Sequence, residues 1–404
     1  MNRVKDLKHL FYFENLLQEA NNELVQQAKK EGKLAIGYTC FHMPEVLLNV
    51  DNCFSLRMRA PRTGSLEIAT YYMSNYTCEY CRALLERAVE GGYNFLDGIA
   101  AVDACAQMNR SMENILVQKL IPGDKFFMSH VDVPYKVTEH GVEHQAEQIR
   151  TKVFKKLEEN YGVDTSDDAI RKAVEEHNKI CRIITEIGEY RKEENPRITG
   201  YEFHILNLVT YVCPKYLILD RLQETLEEIR NREPDEKKNY RARVVIAGSE
   251  IDDPDFTKLV EEAGALVVAD RFCFGSFPGR QEIHIGEEED ALKAVCRRYM
   301  EDSQCARYMS HEKIQARRDF VRKLYEDYHA DGIIYEQLKF CDYWGYERAL
   351  VSHIMQEEYE LPVLSVDRPY RVGSSGQMRT RIQAFVERME IKKIQNQRGG
   401  ALHG

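Results

Sequence analysis

Two hydrophobic periods alternate along this chain. The apolar runs Leu34–Thr39 (LAIGYT), Phe54–Ala60 (FSLRMRA), Phe95–Val102 (FLDGIAAV) and Phe126–Val131 (FFMSHV) have the length and the β-branched and aromatic content of buried strands. Helix-period stretches begin between them at Glu45, Cys81 and Gln107. Strand and helix in strict alternation predict βαβ units and a mostly parallel sheet. The alternation returns at Arg243–Ser249, Ala265–Phe272, Asp331–Leu338 and Pro362–Asp367. Helices are predicted there over Asp255–Ala263, Glu289–Met300, Glu312–Tyr328, Tyr346–Tyr359 and Gln377–Glu390.

Between these halves, from about His140 to Lys238, the texture is long, charged and helical, as in DDAIRKAVEEHNKICRIITEIGEYRK, and REPDEKKNYRAR reads as a solvated linker. Met1 to Lys30 carries a helical rhythm that ends in KKEGK. The organisation expected is an N-terminal helix over 1–32, a first α/β domain over 33–139, a helical connector over 140–240 and a second α/β domain over 241–404. The fold class is thus α/β, with two Rossmann-like, doubly wound domains and a helical region. An internal echo supports it: LDGIAAVDAC ends at Cys105 and ADGIIYEQLKFC at Cys341, each a strand opened by Asp-Gly-Ile and closed by a cysteine. Ligand crevices of open α/β sheets lie beyond the carboxyl ends of the strands. Cys105 and Cys341 are therefore expected to face a common interdomain cleft.

Charge and cysteine content narrow the chemistry. A net charge of −10 over 404 residues argues against a nucleic-acid groove, which Lys and Arg dominate. No apolar run approaches the roughly 20 residues that cross a bilayer, and the N-terminus does not read as a signal peptide. The expected compartment is the cytoplasm, with neither nucleic acid nor membrane as partner. Eleven cysteines, an odd number, are expected there as buried thiols or metal ligands rather than disulfides.

The pair in TCEYC, Cys78 and Cys81, could serve zinc, a dithiol cycle or an iron–sulfur cluster. Zinc would call for a second close Cys or His pair, which is missing from the sequence. A thioredoxin-like dithiol would have small residues or Pro between the thiols and would leave Cys105 and Cys341 without a role. Cys78, Cys105 and Cys341 share one context, a strand end or loop just before a helix. Such N-termini lower thiolate pKa and stabilise an anionic metal–sulfide core. Cys81, one turn into its helix, reads as a core thiol, and so do Cys40, Cys53, Cys181, Cys213 and Cys296. Cys273 and Cys305 lie in loops and stay open as ligands. His42 and Glu45, beyond the first strand, are candidates for substrate contact or proton transfer, although Glu45 also suits a first-turn helix charge. Ser374, Ser375 and Gln377 begin the last helix, as caps or as contacts to cluster or CoA.

Six stretches in order carry a resemblance: Gly37–Leu48 (GYTCFHMPEVLL), Cys78–Gly91 (CEYCRALLERAVEG), Leu96–Arg110 (LDGIAAVDACAQMNR), Ala269–Arg280 (ADRFCFGSFPGR), Ala330–Trp344 (ADGIIYEQLKFCDYW) and Gly373–Glu387 (GSSGQMRTRIQAFVE). Through them the chain resembles the 2-hydroxyacyl-CoA dehydratase and benzoyl-CoA reductase family of iron–sulfur proteins from anaerobes. The resemblance implies a [4Fe–4S] cluster in the interdomain cleft, held by Cys78, Cys105 and Cys341, with the fourth iron open for chemistry. Cys81 stands where the family usually has an aliphatic residue.

The implied activity is that of an (R)-2-hydroxyacyl-CoA dehydratase, a lyase that eliminates water to a 2-enoyl-CoA through a ketyl radical after one-electron activation. The implied partners are the acyl-CoA substrate, a homologous second subunit and a separate ATP-hydrolysing iron–sulfur activator. A separate activator fits the lack of a Gly-x-x-x-x-Gly-Lys-Ser/Thr loop in this chain. Three other roles remain: a subunit of a benzoyl-CoA-type reductase, a reductase carrying an [8Fe–9S] double-cubane cluster, and a non-catalytic structural or electron-relay partner.

Overall fold

The structure, a computed structural model, describes residues 6–61, 63–234, 240–276, 280–371 and 376–400. Ser374 and Ser375 lie outside the described residues. Eight strands appear where the apolar runs place them. The first sheet joins β1 (Leu34–Tyr38), β2 (Cys53–Arg57), β3 (Gly98–Asp103) and β4 (Phe127–Asp132) in the order β2-β1-β3-β4. The second joins β5 (Ala242–Gly248), β6 (Ala265–Arg271), β7 (Gly332–Leu338) and β8 (Val363–Arg368) in the order β6-β5-β7-β8. Every pairing is parallel. Both sheets therefore reverse strand order at the same place, between their first and third strands.

Both faces of each sheet are covered, which is why the strands read as continuous apolar runs. In the second sheet Val244 and Ile246 pack beneath the Asp255–Glu262 and Gly376–Gly400 helices. Val245 and Ala247 point the other way, toward the His311–Asp327 and Asp342–Glu357 helices. Burying each such side chain contributes about 1.5–3 kcal/mol. At the reversal point Gly248 has φ +149°, and a Cβ there would meet the Glu336 carbonyl oxygen at 2.0 Å, so only glycine lets β5 close on β7.

The helical region is a central layer. The Gly200–Val212 helix (GYEFHILNLVTYV) is buried on almost every side and packs against both β2 and β6. A capping box between Thr199 and Glu202 starts it. Along its length His204 Nε2 meets the Ile251 carbonyl at 3.2 Å and Asn207 donates to that of Phe274 at 3.0 Å. These bonds fix the loops beyond β5 and β6.

Three elements differ from their sequence pattern. The N-terminal rhythm is two helices, Leu10–Leu16 and Glu23–Lys30, because Asn22 accepts the N–H groups of Leu24 and Val25 and starts a new helix. The segment at Glu45 is a four-residue 3₁₀ turn, Glu45–Leu48, all of it buried. The helix expected from Tyr346 begins four residues earlier at Asp342, directly after Cys341. Among the described residues no helix is long and apolar enough to cross a membrane.

Candidate functional site

The two reversal points face each other, and the thiols gather there. Cys105 follows β3 and Cys341 follows β7, the third strand of each sheet. Cys78, Cys105 and Cys341 each stand at the N-cap of a helix: Glu79–Val89, Ala106–Val117 and Asp342–Glu357. The sulfurs of Cys105 and Cys341 face the first-turn N–H groups of their own helices, Gln107 and Met108 for Cys105 and Trp344 for Cys341. Gln107 locks the three segments together. The Cys78 N–H donates to its side-chain oxygen, and its amide donates to the Phe340 carbonyl at 2.9 Å and to Asp342 Oδ2 at 2.7 Å. Phe340, held with φ +64°, turns the chain so that Cys341 enters the site, and its ring meets Tyr76 edge-on at 5.8 Å.

Cys81 lies buried beneath and hydrogen-bonds to both Cys105 and Cys78, which holds its own proton well above the usual thiol range. The bond from Cys81, against the cost of burial and with help from the N–H groups of Met108 and Gln107, brings Cys105 down to about 7. Cys341 is pushed up by burial and by Cys78, although the Trp344 N–H acts the other way. Among the described residues no three His, Cys, Asp or Glu side chains converge on one point as the ligands of a single metal ion do.

The other sequence candidates fall beside this group. His42 is 1% exposed, its Nε2 has no partner and its ring meets Tyr308 edge-on at 5.5 Å. Burial, with Arg307 and Arg57 nearby, drives it down to about 3, so it is neutral at physiological pH. Glu45 is enclosed: it pairs with Lys215 and accepts from Ser55 Oγ at 2.9 Å and Asn49 at 3.1 Å, with His177 Nδ1 at 3.2 Å. Burial would raise its pKa, but Lys215 and then His177 hold it well below the usual range. Gln377 is exposed in the first turn of the last helix. Cys53, Cys81, Cys181, Cys213 and Cys296 are buried. Cys40, read as core, keeps some accessible surface, and it lies near Cys273 and Cys305.

Three features went unread in the sequence, two of them made by strand ends from opposite halves. Arg57, at the end of β2, pairs with Glu250, beyond β5, at 3.3 Å and donates to the Cys273 carbonyl. Glu250 Oε2 has no partner, and burial raises this carboxyl to about 7 despite Arg57. Gln107 is the third; its place two residues after Cys105 was the one available hint.

Fold and site together define an α/β protein of two doubly wound halves whose reversal points bring together thiols that stand at helix N-termini. The chain belongs to the family described as 2-hydroxyglutaryl-CoA dehydratase, D-component, whose sequence model matches residues 40–389. It is 23% identical over 376 residues to the beta subunit of the (R)-phenyllactyl-CoA dehydratase of Clostridium sporogenes, covering 93% of this chain and 97% of that one. It is 22% identical to the beta subunit of the (R)-2-hydroxyglutaryl-CoA dehydratase of Acidaminococcus fermentans, covering 90% of this chain and 94% of that one. Identity to a benzoyl-CoA reductase subunit of Thauera aromatica is 20%, covering 88% of this chain and 91% of that one.

Proposed function

We propose that this chain is the iron–sulfur component of a cytoplasmic (R)-2-hydroxyacyl-CoA dehydratase, working with a homologous second subunit and a separate activator that hydrolyses ATP. The observation that carries this is the meeting of Cys78, Cys105 and Cys341, each at a helix N-terminus, at the junction of the two halves. Family membership and full-length similarity to dehydratase beta subunits support it. These three residues would hold a [4Fe–4S] cluster, which when bound supplies a low-potential electron to the acyl thioester.

The chain's own residues prepare that site. Three helix N-termini point partial positive charge at the sulfurs, which suits an anionic metal–sulfide core. Gln107 holds the segments in one arrangement, so the ligand set is in place before metal arrives. His42 stays neutral beside Arg307, and its unpartnered Nε2 is free to hydrogen-bond a bound molecule. Glu45, tied to Lys215, has its charge spent on fixing the 3₁₀ turn that carries His42 into the interior.

Iron and sulfide analysis with EPR on anaerobically purified protein tests the reading. About four irons and four sulfides per chain, lost in Cys78→Ala, Cys105→Ala and Cys341→Ala, are expected. Zinc or no metal in all four proteins refutes the cluster, and about eight irons would point to the double-cubane form instead. The similarity to the benzoyl-CoA reductase subunit favours one rival, net reduction. Product analysis with activator, ATP and reductant separates the two: a 2-enoyl-CoA without net electron consumption marks the dehydratase.

A further inference from the structure

The second half carries a cavity at the end of its sheet opposite the thiols. Cys341 lies beyond the carboxyl end of β7, whereas this cavity, about 430 Å³ in volume, opens at the amino ends of β5 and β7. Four cations line it, Lys192, Arg241, Arg243 and Lys393, with His329 and Tyr240, against one carboxylate, Glu194. They come from separate segments: the Tyr190–Lys192 turn that ends the long Asp167–Glu189 helix, the start of β5, the turn before β7 and the last helix. In a chain of net charge −10 such a concentration of positive charge runs against the composition.

Arg243, 8% exposed, is committed to the backbone. Its guanidinium donates to the carbonyls of Arg191 at 2.8 Å, Glu193 at 2.9 Å and Tyr328 at 3.0 Å, where two helical segments end, and it has no carboxylate at ion-pair distance among the described residues. The negative helix ends are thereby covered, and three cations remain in front of them. Those three are held lightly. Arg241 Nη1 stands 3.4 Å from Glu390 and Nη2 3.4 Å from the Ala263 carbonyl, while Lys192 pairs with Glu189 and Lys393 with Asp331, each at 2.6 Å. Their side chains are 35% (Lys192), 38% (Arg241) and 44% (Lys393) exposed, and ion pairs open to solvent contribute little, so an incoming anion draws on all three at small loss. His329 follows the His311–Asp327 helix with φ +49°, a left-handed position where glycine is the usual residue, so an imidazole is kept on the wall at a cost in backbone strain. The Tyr240 hydroxyl donates to the Glu194 carbonyl at 3.2 Å, which fixes its ring as a second wall.

We infer that this cavity binds an organic phosphate of nucleotide size, its phosphate group held by Arg241, Lys192 and Lys393 and its organic part laid against Tyr240. A guanidinium fork and two ammonium groups from separate segments match the several oxygens of one phosphate, and the volume lies in the range of small-molecule sites. A bound phosphate ties the last helix to the central helical layer through Lys393 and Lys192. The inference stands independently of the acyl-CoA reading above, because the thiol junction lies at the other end of the sheet.

The test is calorimetric titration of inorganic phosphate, pyrophosphate and AMP into the anaerobically purified full chain, wild type beside Arg241→Gln, Lys393→Gln and Lys192→Gln, with Lys155→Gln, an exposed lysine of the Lys155–Tyr161 helix, as the control. AMP is expected to bind about tenfold more tightly than inorganic phosphate, through the aromatic wall. Each cavity substitution is expected to weaken AMP and pyrophosphate about tenfold, and Lys155→Gln to leave both unchanged. Three variants on three segments keep the test decisive should one of them fail to fold. No binding of any probe to wild type overturns the inference. Equal affinity in wild type and the cavity variants also overturns it, because the site then lies elsewhere, and so does an equal loss in Lys155→Gln, which marks general charge attraction. AMP binding no tighter than inorganic phosphate overturns the organic part of the assignment, since a bare ion then suffices.

Discussion

The backbone N–H of Cys78 donates to the side-chain oxygen of Gln107, a residue two positions past Cys105 whose amide group reaches the segment of Cys341. One neutral side chain thus joins all three candidate ligand segments across the two halves. Gln107→Ala is expected to leave the fold intact, to cost about 1–3 kcal/mol through the groups left unsatisfied, and to lower iron occupancy. Metal analysis of the variant beside its urea denaturation curve checks this: full occupancy at reduced stability shows that Gln107 supports the fold alone.

Cys81 offers a sharper contrast. It is buried, keeps its proton and hydrogen-bonds to Cys105 and Cys78. Cys81→Ala is expected to keep about four irons per chain while altering the EPR signal, because the sulfurs lose a hydrogen-bond donor that tunes them. Loss of iron equal to that in Cys105→Ala would make Cys81 a ligand.

In metal-free protein the thiols are expected to differ in reactivity. Cys105 sits near 7, half-buried at a helix N-terminus, whereas Cys341 is raised. Alkylation by iodoacetamide followed by mass spectrometry is expected to label Cys105 first, with a rate midpoint near pH 7. Uniform labelling of all the cysteines would contradict the Cys81–Cys105 bond.

Glu45 and Lys215 form a buried pair joining the turn after β1 to the Lys215–Asn231 helix. Lys215→Met strands a buried carboxylate and is expected to cost about 3–5 kcal/mol. The double variant Glu45→Gln with Lys215→Met is expected to recover much of that loss. Denaturant melts of the single and double variants give the coupling directly, and simple additivity would rule the pairing out.

Glu250 predicts a pH dependence. Burial raises its carboxyl from the ordinary 4.5 to about 7 in the folded state, so between these values the folded protein binds more protons than the unfolded chain. Its contribution to stability is complete below pH 4.5 and declines as pH rises to about 7. Glu250→Gln is expected to remove that slope and to gain about 1–3 kcal/mol above pH 7. The wild-type-minus-variant difference from melts at pH 4, 6 and 8 isolates this residue from the other titrating groups, and a flat difference would contradict the raised carboxyl.

Much of this was legible in the chain. All eight strands lie where the apolar runs place them, because a sheet covered on both faces keeps most strand positions apolar and confines charged residues such as Arg57, Asp270 and Arg368 to the carboxyl ends. The Asp-Gly-Ile echo located Cys105 and Cys341 at equivalent strand ends for the same reason. The N-terminal break falls at Asn22, whose side-chain oxygen accepts the N–H groups of Leu24 and Val25 while its amide reaches the Val212 carbonyl at 3.3 Å; the continuous apolar rhythm on either side masks it. The helix at Glu45 failed because that segment is too enclosed to propagate beyond one turn.

The shared strand order has a consequence for how the site comes into being during synthesis. Cys78 and Cys105 emerge from the ribosome early, on a half that has its own sheet. Cys341 follows only after the central helices and three strands of the second sheet have been made. On the proposed reading the ligand set is therefore incomplete on any nascent chain shorter than the last segment it needs, and a product truncated before Cys341 carries the other thiols without a site.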